Sequence, residues 1–163
     1  MKTYRLRVSI IGLAKLYRII EASEACTFDQ LHEVIFDAFN RYDAHLYSFF
    51  MTKKDTRNPR TIWNAPEITH PAALQDAPDF SRRKRSTSDT TLGEIGLEEK
   101  EVFHYLFDFG DEWWHRIRVE SITEAGGEIA AAQVVKSIGA APPQYKEYED
   151  DDDVDEEEYD DEG

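Results

Sequence analysis

Residues 103–120 read FHYLFDFGDEWWHRIRVE, two aromatic-rich runs on either side of the acidic turn Asp108–Phe109–Gly110–Asp111. Aromatic residues packed this densely around a tight turn predict a hairpin at the middle of a sheet. In the second run, strand alternation sends Trp113, His115, Ile117 and Val119 to one face, expected to be the inner one. Trp114, Arg116 and Arg118 fall on the other. The turn is expected to be held by aspartate oxygens accepting backbone N–H bonds, with Gly110 supplying a positive φ.

Working outward, residues 3–11 alternate: Tyr4, Leu6, Val8 and Ile10 share one side, and Arg5, Arg7 and Ser9 the other, a strand with one wet face. Gly12 interrupts it and apolar residues resume at Leu16, which predicts a hairpin turning near Gly12–Lys15. Thr27 followed by Gln30 is a capping-box signature. Phe28, Leu31, Val34, Ile35, Ala38 and Phe39 then keep helical spacing to about Asn40. His45 to Met51 returns to strand character, with His45, Tyr47, Phe49 and Met51 on one side. Residues 52–90 hold Pro59, Pro66, Pro71 and Pro78 and read as a long loop with a short strand around Arg60–Trp63. Thr90–Leu97 predicts one short helical turn stopped by glycine. The alanine-rich stretch 126–141 leans towards helix, although its glycines limit it. The expectation is an α+β fold, a mixed sheet packed by one main helix, in an order like that of the β-grasp, ubiquitin-like folds.

The net charge of −15 is concentrated at one end. Residues 147–163 contain thirteen acids and no base, which leaves 21 acids against 19 bases in residues 1–146. The chain is therefore expected to be one domain over residues 1–145 followed by a disordered acidic tail, 146–163. A near-neutral body argues against a dedicated duplex-DNA binder. With Cys26 the single cysteine, an intrachain disulfide and a C-x-x-C metal site are both excluded. The start MKTYRLRVSI has no signal-peptide pattern, and no apolar run is long enough to span a membrane. A cytoplasmic location without a membrane partner is expected.

Several fragments together carry a resemblance: Tyr4-Arg5-Leu6, Leu31-His32, His45-Leu46-Tyr47-Ser48-Phe49, and Tyr105-x-Phe107-Asp108-Phe109-Gly110-Asp111-x-Trp113-x-His115. In order and spacing these resemble the plasmid pRiA4b ORF-3-like family over residues 3–145, the Asp-Phe-Gly-Asp-x-Trp-x-His string being the specific part. The resemblance implies no defined activity beyond loose labels linking some members to transposon resolvases. This chain lacks the arginines around a nucleophilic serine that such chemistry requires. Many members carry Cys-Pro-Pro-Glu-Asp near the end, where this chain reads Gly139-Ala140-Ala141-Pro142-Pro143-Gln144-Tyr145. The resemblance therefore implies no metal or redox role through that cysteine here.

Candidate chemistry gathers at four places. Asp108 and Asp111, with His115 nearby, could hold a cation or a basic ligand, or simply build the turn. His32, His45 and His115 could join those aspartates in a metal site or an acid–base pair, though no H-x-x-x-H or H-E-x-x-H spacing supports it. Trp114 beside Arg116 and Arg118 suits a partner peptide or a stacked base. The basic run Arg82–Arg85 could meet nucleic acid or the chain's own tail. No nucleophile elbow, P-loop or dinucleotide fingerprint is present. The reading that follows is a non-enzymatic binding or adaptor module, with a protein or peptide partner, nucleic acid as the weaker option, and no cofactor. A metal-dependent or nucleic-acid-processing enzyme associated with mobile elements is the alternative.

Overall fold

The computed structural model describes residues 1–75, 84–124 and 131–145. The N-terminal alternation builds an antiparallel hairpin from β1 (Lys2–Ile10) and β2 (Tyr17–Ser23), turned at Gly12, whose φ of +94° suits a residue without Cβ. Next come α1 (Phe28–Ala38), β3 (Tyr47–Phe50), α2 (Pro59–Trp63), β4 (Glu67–Thr69) and α3 (Pro71–Gln75). They are followed by β5 (Lys84–Ser86), α4 (Leu92–Ile95), β6 (Val102–Phe107), β7 (Trp113–Glu124) and β8 (Ala132–Ile138). Eight strands make one sheet in the order β5-β4-β3-β6-β7-β1-β2-β8, antiparallel throughout except for the β4–β5 pair.

The 103–120 stretch lies where its aromatic density put it, in the two central strands β6 and β7. Phe103, Tyr105 and Phe107 of β6, Ile117 and Val119 of β7, and Tyr4, Leu6 and Val8 of β1 form one buried face. The apolar stripe of α1, Phe28, Leu31 and Ile35, closes over that face. Burying each such side chain contributes about 1.5–3 kcal/mol, so this layer dominates the stability. The opposite face carries a smaller cluster, Phe50, Ile62 and Leu106 with Trp114 packed against it, where α2 covers one corner.

Helix ends follow their local chemistry. Thr27 Oγ1 accepts from Gln30 N at 3.1 Å and Gln30 Oε1 accepts from Thr27 N at 2.9 Å, the reciprocal capping box. Gly96, at φ +72°, stops α4 in the left-handed conformation that glycine adopts without a Cβ penalty.

Several expectations are corrected. The described part of the long loop at 52–90 contains four short elements, and Arg60–Trp63 is helical because Asn58 caps it and Pro59 occupies its first turn. Helix does not form in the described part of 126–141. Residues 132–138 are the edge strand β8, where Val134 and Val135 outweigh the alanines. His45 lies before β3 rather than in it. The likeness to ubiquitin-like folds stops at the hairpin-then-helix succession, because β1 lies between β2 and β7 in a nearly all-antiparallel, eight-stranded sheet. The tail 146–163 and Arg82–Arg83 fall outside the described residues. Among those described, no helix is long and apolar enough to cross a membrane.

Replacing Thr27 by alanine removes one half of the capping box and is expected to lower unfolding stability by about 1 kcal/mol. Urea denaturation would show a lower midpoint with an unchanged slope; an unmoved midpoint would mean that tertiary packing alone holds the start of α1.

Candidate functional site

The acidic turn is built from Asp108. Its φ is +69°, in the left-handed region that aspartate tolerates better than most residues. Its Oδ1 accepts from Gly110 N at 3.0 Å and Asp111 N at 3.3 Å, while its backbone carbonyl accepts from Glu112 N at 2.7 Å. Gly110 does not supply the positive φ that the sequence suggested; Asp108 and Glu112 do. Asp108 is buried and Asp111 exposed.

Asp108 meets His45, whose Nε2 lies 3.5 Å from its Oδ2. The same imidazole nitrogen lies 2.7 Å from the Tyr145 hydroxyl, which donates to Asp43 Oδ2 at 2.6 Å. That hydrogen bond to Asp43 pushes the Tyr145 hydroxyl up to about 12. The four side chains latch the segment after β8 onto the loop before β3.

The remaining candidate histidines are buried. His32, on the inner side of α1, stacks on Tyr47 with ring centroids 3.6 Å apart, and its Nδ1 lies 2.6 Å from the Tyr105 hydroxyl. His115 faces inward from β7, as alternation requires, with its Nδ1 3.0 Å from the Trp113 carbonyl. Burial drives both down, His32 to about 4 and His115 to about 3, so both rings are neutral at pH 7. Among the described residues no three His, Cys, Asp or Glu side chains are grouped to hold a metal ion. His32, His45, His115, Asp108 and Asp111 are thus distributed over a core, a latch and an exposed turn.

Trp114, Arg116 and Arg118 do share one face, the one opposite α1, and the register adds residues from β1. Arg7 is directly opposite Arg118, Ser9 opposite Arg116, and Arg5 lies one step along. Arg116 grips Asp55 through Nε and Nη2 at 3.0 and 2.9 Å, Arg118 meets Glu120 at 2.7 Å, and Arg5 meets Glu21 at 3.0 Å. Arg7 has its guanidinium 3.8 Å from the Tyr17 ring centroid. Trp114 packs against Phe50 and, edge to face, against Trp63, each with centroids 5.6 Å apart. Beside it is a hollow of about 190 Å³ lined by Ile11, Arg57, Ile62, Trp63 and Trp114. Alternation in the sequence already put Arg5 and Arg7 on the wet side of β1, but joining them to the β7 row needed the β1–β7 pairing. Trp63 was hidden by the strand reading of its segment. Of the basic run, Lys84 and Arg85 lie near Glu67 and Glu94, at 3.5 and 3.7 Å.

Residues 2–154 match the family model described as plasmid pRiA4b ORF-3-like protein. The chain is 30% identical over 115 residues to the uncharacterized protein y4hQ of Sinorhizobium fredii, an alignment covering 71% of this chain and 50% of that protein. It therefore spans about half the length of that curated relative. Its fold is similar to the crystal structure of a protein of unknown function, MM3350, from Methanosarcina mazei Go1. That likeness has a TM-score of 0.64 and 28% identity, covering 88% of this chain and 72% of the other.

The buried histidines give a signed pH dependence. Their folded-state values lie below the ordinary one near 6.5, so between these limits the unfolded chain binds more protons. Their contribution is whole above about pH 6.5 and is lost progressively as pH falls towards 4 and then 3. Urea titrations at pH 7 and 4.5 should show a stability loss that His115→Leu reduces. An equal loss in that variant would place the acid sensitivity elsewhere.

Proposed function

We propose, for a chain that belongs to the plasmid pRiA4b ORF-3-like family, a non-enzymatic binding or adaptor module whose partner is an acidic protein or peptide segment. The observation that carries this reading is the row Trp114–Arg116–Arg118 beside Arg5 and Arg7 on the sheet face opposite α1. Like charges directly across a strand pair, here Arg7 and Arg118, are unfavourable to the fold by themselves. Glu120 already meets Arg118, so the place an arriving carboxylate would take in this row is at Arg7, whose guanidinium lies over Tyr17. Arg116 already displays the required recognition in its bidentate hold on Asp55. Trp114, half-buried beside an apolar hollow, supplies the kind of aromatic anchor that concentrates binding energy at interfaces.

Nucleic acid is the weaker partner on this reading. Glu21, Glu120 and Asp55 already neutralise three of the arginines, whereas a polyanion is held by a concentrated and uncompensated basic face. The enzymatic alternative draws on the histidines and Asp108, whose side chains are engaged in the core and the latch. A cytoplasmic setting suits the single cysteine, buried and with its thiol pushed up to about 12 by burial.

Fluorescence anisotropy with an aspartate/glutamate-rich peptide carrying one aromatic residue, against a single-stranded oligonucleotide of equal charge, tests the proposal. The peptide should bind more tightly. Arg118→Glu should weaken it about tenfold or more while keeping the fold, since glutamate opposite Arg7 forms a favourable cross-strand pair. Tighter oligonucleotide binding would transfer the site to nucleic acid, and undiminished peptide binding by Arg118→Glu would remove this face from the function.

A further inference from the structure

α1 ends at Ala38, and Asn40, at φ +59°, turns the chain so that Arg41 enters the protein. Arg41 is buried, with 6% of its surface exposed. Its Nη1 donates to the Pro142 carbonyl at 2.8 Å, and its guanidinium lies over Trp113, 4.4 Å from the ring centroid. Its Nε and Nη2 are sealed from solvent and have no hydrogen-bond partner among the described residues, and the same is true of Trp113 Nε1. Three buried N–H-bearing atoms, two of them on a cation, thus lie without acceptors around one stacked pair. Buried polar groups are almost always satisfied, and a buried charge requires a counter-charge.

The nearby acids are engaged elsewhere. Asp108 is held by the turn amides and by His45, and Asp43 accepts from Tyr145. His115 and Tyr105, which face the same region, are a neutral imidazole and a phenol held protonated by burial, so neither supplies negative charge. The atoms left open on Arg41 are Nε and Nη2, the edge through which Arg116 takes the Asp55 carboxylate at 3.0 and 2.9 Å. Arg41 and Arg116 thus present the same two-nitrogen edge, which on Arg116 takes a carboxylate.

We infer that Arg41, with Trp113 Nε1–H beside it, is a carboxylate-binding site distinct from the outer arginine face. A planar two-oxygen anion meets Nε and Nη2 edge-on, in the manner of Asp55 on Arg116, and Trp113 bounds one side of the guanidinium plane. The cover over the site is the segment from Gly139 to Tyr145. It is latched by Gln144, which accepts from Tyr42 N at 3.0 Å and Asp43 N at 3.2 Å and donates to the Asp43 carbonyl at 2.9 Å. Pro142, whose carbonyl takes Arg41 Nη1, also lines an open hollow of about 670 Å³ with Leu13, Leu16, Gly139 and Ala140. The carboxylate has two sources of identical chemistry: a diffusible acid, or one of the thirteen acids in residues 147–163 that follow this segment in the sequence.

The experiment follows the Arg41 Nε–H and Trp113 Nε1–H resonances of the full-length ¹⁵N-labelled protein during acetate addition at constant ionic strength, with chloride and inorganic phosphate as controls. It is repeated on a full-length variant whose thirteen tail acids are replaced by Asn and Gln. A saturable shift of both resonances with acetate in the unmodified chain identifies a diffusible ligand. Resonances that move when the tail is neutralised, and only then respond to acetate, identify the chain's own carboxylate. Arg41→Lys, which lacks the fork, should lose the response. No saturable shift in either full-length chain, or an equal response to chloride, would overturn the inference and leave a buried water as the partner. A stronger response to phosphate would overturn its carboxylate class. Should Arg41→Lys fail to fold, the Trp113 resonance in the two folded chains still decides.

Discussion

The register of β6 against β7 is the constraint on which the rest of the molecule depends. Asp108 sets it: its left-handed backbone reverses the chain, and its Oδ1 ties down the amides of Gly110 and Asp111. Strand side chains alternate with a period of two, so a slip of one residue would exchange the faces of the whole hairpin. Trp113 and His115 would turn outward, while Trp114, Arg116 and Arg118 would be driven against α1. Guanidiniums in that layer need buried acceptors, as Arg18 has in the Ala38 carbonyl and Arg41 in the Pro142 carbonyl, and the displaced row would bring none. A single short carboxylate thus decides which residues become core and which become surface.

Two polar systems result, on opposite sides of the sheet. On the inner side His32, Tyr105 and His115 are desolvated beneath α1, with aromatic packing holding their rings, and two buried guanidiniums, Arg18 and Arg41, lie over Phe39 and Trp113. The outer one is charged and partly wet, with arginines from β1 and β7 interleaved with acids from several segments. The same residue types therefore have unlike chemistry according to strand parity. An imidazole on the inner side contributes shape and hydrogen bonding, whereas a guanidinium on the outer side keeps its charge and its reach.

Where periodicity was strong, the chain could be read directly. The alternation of Tyr4–Ile10, the Thr27–Gln30 cap and the aromatic hairpin each announced its element through local chemistry. Where elements were only three to five residues long, tertiary pairing decided them. β4 and β5 have no periodicity to show, and Arg60–Trp63 depended on an Asn-Pro cap that was outweighed by its apolar content. The alanines flanking β8 favour helix in isolation, yet Ala132–Ile138 pairs with β2 as strand. Of the site residues, the row on β7 was legible from alternation alone. Its continuation onto Arg5 and Arg7 needed the β1–β7 pairing, a long-range contact invisible to any window of sequence. The burial of Arg41 was invisible for the same reason, since its neighbours Trp113 and Pro142 lie far away along the chain.

That same pairing orders events during synthesis. β1 is made before β2 and β7 but lies between them in the sheet. The first hairpin closes early, whereas Ile10 must wait for His115 and Lys2 for Glu124 before the second edge of β1 is covered. Until then the growing chain exposes an apolar strand edge to the ribosome's surroundings, and closing so long a loop is slow. The alternating arginines on β1, which later lie on the sheet face opposite α1, also keep that waiting edge charged and discourage it from pairing with another nascent chain.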